Sequence, residues 1–223
     1  MNAPPAFPCD ATSFIIKGPA GDLEWLSACP ARDSEKQASA VICHPHSLHG
    51  GSMQNKVVHT LARTYGELGL RTVRFNFRGV GASHGSFDHG IGETADLYAV
   101  IDWLRRHRPH DQLWLAGFSF GAYVAARAAA QAKPAHLVSV APPVGMYDFT
   151  ALTQPLCPWL IMQGDQDEVV DAKAVQRWAE QLSPMPDLVM FPDAGHFFHQ
   201  RLNDLRVALL AHASAHIPPQ ENA

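Results

Sequence analysis

From residue 39 onward, short apolar runs alternate with longer stretches whose apolar residues recur every three or four positions. The short runs read "SAVICHP", "TVRFNFR", "QLWLAG", "HLVSVAP", "PWLIMQG" and "DLVMFP". Nearly continuous apolar runs of this length are typical of strands that are covered on both faces. Strand and helix in strict alternation predict a mostly parallel sheet with helices packed on both of its faces.

The stretches between these runs have helical spacing. They read "NKVVHTLARTYGELG", "ETADLYAVIDWLRRHRP", "FGAYVAARAAAQA", "DAKAVQRWAEQL" and "HQRLNDLRVALLAHASAHI". Two earlier runs, "SFIIKG" and "LEWLSACP", are joined by "GPAGD" and predict an antiparallel edge. The predicted fold class is therefore α/β, with a doubly wound, mostly parallel, eight-stranded sheet. A length of 223 residues suits a single domain, residues 1–223.

Charge and hydropathy exclude several classes of partner. The formal net charge is −4, so no basic surface is expected to bind nucleic acid or an anionic membrane. No apolar run approaches the roughly 20 residues that a membrane-spanning helix needs. The amino terminus has no basic segment followed by an apolar one, so we expect no signal peptide and a cytoplasmic location. A homodimer is left open.

The four cysteines are scattered through the chain and form no Cys-x-x-Cys pair. They are Cys9, Cys29, Cys43 and Cys157. A chain that can build its own core has little need of a disulfide framework, so none is expected.

The stretch "LWLAGFSFGAYVAARAAA", residues 113–130, places Ser119 at a sharp turn between a predicted strand and a predicted helix. Glycines two residues before and after it, Gly117 and Gly121, would let strand and helix approach closely. The turn would strain the serine backbone and expose its hydroxyl, while the helix amino terminus would favour a developing anion. In this context the pattern predicts a nucleophile. A glycine-rich turn with a chance serine is the alternative.

A serine nucleophile needs a base and an acid, and this architecture predicts the chain order Ser, acid, His. "PWLIMQGDQDEVVD" ends a strand at Gly164 and offers Asp165, Asp167, Glu168 and Asp171 as acids. We choose Asp167, because Asp165 directly follows the strand and is suited to shaping the turn. Asp171 is expected to cap the next helix.

"LVMFPDAGHFFH" ends the last strand and offers two histidines. We choose His196, which follows a glycine within the loop, over His199, which is expected to begin the final helix. His212 and His216 are expected on that helix, at its surface.

Taken in order, "SAVICHPHSLHGGSMQNKVV", "RFNFRGVGASHG", "GFSFGA", "QGDQDEVV" and "PDAGHFFH" resemble the α/β-hydrolase superfamily. Within it, the chain is similar to the small bacterial branch of dienelactone-hydrolase-like esterases, which have little or no lid. The resemblance implies the α/β-hydrolase fold and supports Asp167 as the acid. It also implies that the backbone N–H groups of Phe120 and of His46, or its neighbour Ser47, form an oxyanion hole.

Other polar clusters receive structural interpretations. His44, His46 and His49 could suggest a metal, but no further ligand stands at the spacing of a zinc hydrolase, and we expect none. Asn76 and Arg78 in "NFRGVGASHG" are expected to hold a loop beside the site. The connection "PVGMYDFTALTQPLC" is too short for a lid, so Met146, Tyr147 and Phe149 would form at most an apolar rim.

The sequence therefore predicts a serine hydrolase that cleaves a carboxylic ester or related acyl bond of a small molecule, without a metal or other cofactor. A thioesterase, peptidase or acyltransferase with the same three residues remains open. So does a non-catalytic binding protein, because fold alone does not determine function.

Overall fold

The computed structural model describes residues 7–31 and 34–218. Within these residues, eight strands form one sheet: β1 (Asp10–Gly18), β2 (Gly21–Ala28), β3 (Ala38–Cys43), β4 (Arg71–Phe75), β5 (Gln112–Phe118), β6 (His136–Val140), β7 (Trp159–Gly164) and β8 (Asp187–Phe191). Five α-helices in the described part of the chain pack around it: α1 (Lys56–Glu67), α2 (Ile91–His107), α3 (Phe120–Ala132), α4 (Ala172–Ala179) and α5 (Leu202–Ala213). All eight predicted strands and five predicted helices are present.

The strand order across the sheet is β1-β2-β4-β3-β5-β6-β7-β8. Strands β3 to β8 pair in parallel, while β1 and β2 pair with each other, and β2 with β4, in antiparallel fashion. This confirms the mostly parallel sheet with an antiparallel edge. In the sheet, β3 lies between the two strands that follow it along the chain, with β4 on one side and β5 on the other. The carboxyl ends of such strands form the crevice in which ligands of open α/β sheets bind.

The core lies on both faces of the sheet, as the unbroken apolar runs predict. Alternate residues of β3 divide between the two faces, and every residue of that strand is buried. One face packs against α2, α3 and α4, and the other against α1 and α5. Because side chains alternate across a strand, only a strand buried on both sides needs an apolar residue at every position.

A disulfide joins Cys9 to Cys29, which corrects the expectation of no disulfide. Cys9 precedes β1 and Cys29 follows β2, and the antiparallel pairing of these strands places Asp10 opposite Ala28. The two Cα atoms are consequently 5.0 Å apart, within the range that a disulfide spans. The pairing register, which spacing alone does not reveal, brings the cysteines together. Cys43 and Cys157 are free.

Two details of the carboxyl-terminal region also differ from prediction. Helix α5 begins at Leu202 rather than at His199, because Phe198 and Gln200 have positive φ angles of 49° and 61°. A right-handed helix cannot include such residues. The helix ends at Ala213, so His216 lies in the turn beyond it.

Among the described residues, no helix is both long and apolar enough to cross a membrane.

Candidate active site

Ser119 stands between β5 and α3 in a strained backbone conformation, with φ 53° and ψ −121°. A non-glycine residue in a sparsely populated region costs about 1–3 kcal/mol and persists only where its surroundings enforce it. Here the Ser119 N–H donates to the Val140 carbonyl of β6 at 2.8 Å. The predicted sharp turn is present, and it presents the serine at the carboxyl edge of the sheet.

The two glycines that flank Ser119 lie so close to neighbouring backbone that no side chain would fit at either position. A Cβ on Gly117 would overlap the carbonyl oxygen of Gly121. A Cβ on Gly121 would overlap the carbonyl oxygens of Cys43 and His44, at the end of β3. The spacing Gly-x-Ser-x-Gly therefore follows from the close approach of α3 to two strands.

This close approach predicts a contrast between two Gly→Ala substitutions. Gly121→Ala is expected to lower the free energy of unfolding by about 3 kcal/mol or more, because backbone must move to admit the methyl group. Gly66→Ala lies in α1, where a methyl group would meet no atom within 4 Å, and should raise it by about 0.5–1 kcal/mol. Urea denaturation of both variants measures the difference. A loss below about 1 kcal/mol in Gly121→Ala would contradict the close approach.

Ser119, His196 and Asp167 form a continuous chain of hydrogen bonds. His196 Nε2 lies 3.0 Å from Ser119 Oγ, and His196 Nδ1 lies 2.9 Å from Asp167 Oδ2. Ser119 and His196 are 8% and 3% exposed. The three residues come from the loops after β5, β7 and β8, and they meet as the sequence predicts.

Four donors surround the carboxylate of Asp167. Val169 and Val170 donate their backbone N–H groups to Asp167 Oδ1 at 2.9 and 2.7 Å. Gln163 Nε2 and His196 Nδ1 lie 2.9 Å from Asp167 Oδ2. Burial by itself would raise the pKa of Asp167, but the hydrogen bond from His196 and those from the backbone outweigh it and lower the pKa. The carboxylate is thus ionised at neutral pH, and it holds the proton of His196 on Nδ1.

A cleft of about 260 Å³ opens beside Ser119. Its lining consists of Pro45, His46, His49, Gly50, Gly51, Asn55, Ser119, Val169, His196 and Phe197. His46 lines the cleft beside Ser119, whereas Ser47 lies outside the lining. Phe120 is the first residue of α3, so its N–H belongs to the turn where a helix offers no internal acceptor. Within residues 7–31 and 34–218, the backbone N–H groups of Phe120 and His46 have no hydrogen-bond acceptor.

Comparison with known proteins identifies the family. Residues 40–155 match the family model of the α/β-hydrolase fold. The chain belongs to the α/β-hydrolase family. It is 50% identical to an α/β serine hydrolase without a lid from Xanthomonas campestris, with a TM-score of 0.93 over 97% of this chain and 99% of that one. An α/β serine hydrolase homologue from Coxiella burnetii is 51% identical, with a TM-score of 0.89 over 92% and 99% of the two chains. An uncharacterized protein of Rickettsia prowazekii is 36% identical over 88% of this chain and 86% of its own length.

This α/β hydrolase has no sizeable lid. Residues 141–158, between β6 and β7, form turns and one isolated bridge but no helix. Four prolines in this segment remove backbone donors. Met146 is exposed, but Phe149 is only 5% exposed and packs against Trp178, with the two ring centres 4.9 Å apart. Phe149 therefore belongs to the core rather than to a rim.

The histidines of "HPHSLHGG" have structural partners in this hydrolase. His44 is fully buried, with Nδ1 2.6 Å from the Pro45 carbonyl and Nε2 accepting from the Phe77 N–H at 3.0 Å. Burial lowers the pKa of His44 to about 4, so its ring is neutral. His46 Nδ1 accepts from the Leu48 N–H at 3.2 Å, and its ring stacks on His49. The ring nitrogens of His44 are both engaged, which leaves it no lone pair for a metal ion.

Asn76 and Arg78 hold the loop after β4, as predicted. Asn76 Oδ1 accepts from the Met53 N–H at 2.9 Å, and its Nδ2 donates to Glu24. Arg78 donates to both oxygens of the buried Asp96 at 3.0 and 2.8 Å. A bidentate pair of this kind fixes position as well as charge.

The remaining acids of the β7 loop serve the scaffold. Asp165 Oδ1 accepts from the Asp193 N–H at 2.8 Å and so ties the β7 loop to the β8 loop. Asp171 caps α4 by accepting from the Lys173 N–H at 2.9 Å, as predicted. Glu168 Oε2 accepts from the His196 N–H at 3.0 Å. The sequence analysis does not predict this contact. The position of Glu168, one residue after Asp167 in the same loop, is the signal from which it could have been predicted.

Proposed function

We propose that this α/β hydrolase cleaves a carboxylic ester or related acyl bond of a small molecule through Ser119, His196 and Asp167. One observation carries the proposal: the unbroken hydrogen-bond chain from Ser119 Oγ through His196 to the ionised Asp167, beside an open cleft. A serine with a general base in reach and an acid that orients the base is the arrangement of nucleophilic acyl transfer.

The proposed reaction proceeds in two halves. Ser119 Oγ attacks the carbonyl carbon while His196 Nε2 accepts the hydroxyl proton, and a tetrahedral oxyanion forms. The oxyanion collapses, His196 returns the proton to the leaving oxygen, and the acyl group stays on Ser119. Water then attacks the acyl-enzyme with His196 again as base, which releases the acid and restores Ser119. Asp167 stabilises the imidazolium in both halves. The cycle needs no cofactor.

The developing oxyanion would accept hydrogen bonds from the backbone N–H groups of Phe120 and His46. The free N–H of Phe120 at the start of α3 supports the first assignment, because donors and dipole there favour negative charge. The position of His46 in the cleft lining supports it over Ser47 as the second donor. Backbone donors are fixed by the fold, so they need no rearrangement during the reaction.

The size of the cleft limits the acyl group that can be bound. About 260 Å³ lies below the roughly 300–1,000 Å³ of pockets that enclose drug-sized ligands. A longer chain would leave its methylenes in water and lose about 0.8 kcal/mol of binding for each one not buried.

We therefore expect kcat/KM for p-nitrophenyl esters to be highest for acyl groups of about two to six carbons, where the chain still fits the cleft. The test is a series from acetate to palmitate, measured below and above the micelle concentration of the longer esters. No rise at that concentration is expected, since there is no lid to open. A kcat/KM that increased steadily to palmitate would contradict the prediction.

The leaving group is tested separately with one acyl group presented as an ester, a thioester and an amide. Ester cleavage is expected to be fastest. Loss of all three activities in Ser119→Ala assigns them to one site. A thioester preferred by more than about tenfold, which corresponds to 1.4 kcal/mol in the barrier, would make the chain a thioesterase instead. Binding of the esters without turnover would indicate a binding protein.

A further inference from the structure

Three histidines converge at the edge of the sheet opposite the proposed active site. His136 is the first residue of β6, His212 lies in the last turn of α5, and His216 follows that helix. One ring nitrogen from each lies within 4.8 Å of the other two. His136 is fully buried, while His212 and His216 are partly exposed, so the cluster lies between the core and solvent.

The hydrogen bonds of His212 aim one of its nitrogens at the cluster. His212 Nε2 lies 2.8 Å from Asp187 Oδ2, and His212 Nδ1 lies 3.0 Å from His136 Nε2. With the carboxylate of Asp187 as acceptor, Nε2 carries the proton and Nδ1 presents its lone pair to the cluster. A carboxylate that orients a histidine in this way is the usual outer partner of a histidine bound to a metal.

His136 occupies a position where an apolar side chain would satisfy the fold. Its ring stacks on Trp114 at 4.4 Å, and its Nδ1 is buried without a hydrogen-bond partner among the described residues. A buried polar atom without a partner costs about 1–3 kcal/mol. Because His212 Nδ1 presents a lone pair, His136 Nε2 donates the 3.0 Å hydrogen bond in the metal-free chain, and its Nδ1 is the unpaired acceptor. A metal ion bound at Nε2 would require the other tautomer of His136, with the proton on Nδ1.

We propose that His136, His212 and His216 bind one divalent transition-metal ion, with Zn²⁺ as the ion to test first. Imidazole nitrogens suit zinc, copper and nickel, and three protein ligands leave one position for water. Zn–N bonds of about 2.0–2.1 Å separate tetrahedral ligand atoms by roughly 3.3 Å, close to the 3.0 Å between His136 and His212. His216 lies in the turn beyond α5. A small movement of that turn would bring its ring nitrogen to the same separation from the other two ligand nitrogens.

The ion would join the end of α5 to the start of β6. Because the ion would bind the folded chain alone, it would stabilise the fold. At a zinc concentration 100 times the Kd, the midpoint of thermal unfolding should rise by about 5–10 °C.

The test uses the untagged full-length chain after treatment with EDTA. Titration calorimetry with zinc chloride is expected to give one site per chain, and zinc should raise the thermal midpoint. His216→Gln, at a partly exposed turn, should fold normally and weaken binding by at least about 100-fold. Asp187→Asn should weaken it by about 10–100-fold, the range for an outer partner of a ligating histidine. His110→Gln removes an exposed histidine outside the cluster and should leave the Kd unchanged.

Three results would overturn the proposal. One is a Kd for His216→Gln equal to that of the unaltered chain. Another is zinc binding that survives His216→Gln but is lost in His49→Gln, which would move the ion to the proposed active site. Absence of zinc binding in a chain with its normal metal-free thermal midpoint would also refute it. The readouts are binding and melting, so the proposal does not depend on hydrolase activity.

Discussion

Ser119→Ala and His196→Ala are each expected to lower kcat for ester hydrolysis by about 10⁶-fold, the loss measured when a comparable nucleophile or base is removed. Alanine at 119 removes the attacking oxygen, and alanine at 196 removes the group that accepts its proton. The measurement is steady-state hydrolysis of p-nitrophenyl acetate by each variant and by the double variant.

The double variant should lose little beyond either single change, because the two side chains act in one step. Circular dichroism and the unfolding midpoint serve as controls, and both should be near those of the unaltered chain. Losses that multiplied in the double variant would show that the two residues act independently. That result would contradict the proposed base role of His196.

Asp167→Asn is expected to lower kcat by about 10⁴-fold, as in the best-known comparable site. Both oxygens of Asp167 face donors, from Gln163 and His196 on one side and from Val169 and Val170 on the other. In asparagine an NH₂ group replaces one of these oxygens. Whichever oxygen it replaces, the NH₂ is a donor that faces another donor, so a hydrogen bond is lost. If it faces His196, that ring must take the tautomer that carries its proton on Nε2, and Nε2 can then no longer accept the proton of Ser119.

The matched control is Asp165→Asn, two residues earlier in the same loop. Asp165 accepts one backbone N–H, from Asp193, and asparagine keeps an oxygen for that bond. A loss of less than about tenfold in kcat is expected, well below that of Asp167→Asn. If Asp165→Asn had the larger effect, the acid assigned to His196 would be the wrong one.

Much of the fold and of the proposed site could be predicted from the sequence because the signals are local. Continuous apolar runs marked the strands, and two glycines around Ser119 marked the strand-to-helix turn. The chain order of serine, acid and histidine then located Asp167 and His196 in loops at the same edge of the sheet.

The features that escaped prediction depend on contacts between distant segments. The disulfide of Cys9 and Cys29 requires the register of β1 and β2. The burial of Phe149 requires the packing of its loop against Trp178. His136 and His212 are separated by 76 residues, and no spacing rule connects them. Local pattern identifies elements and loops, but the partner of a side chain is decided by tertiary packing.

The most direct test of Ser119 as nucleophile is labelling with a fluorophosphonate, followed by intact-protein and peptide mass analysis. We expect one phosphonate per chain, carried on the peptide that contains Ser119. Labelling should be lost in Ser119→Ala and should slow sharply in His196→Ala and Asp167→Asn. Modification of another serine, or undiminished labelling in Ser119→Ala, would contradict the assignment of Ser119 as the nucleophile.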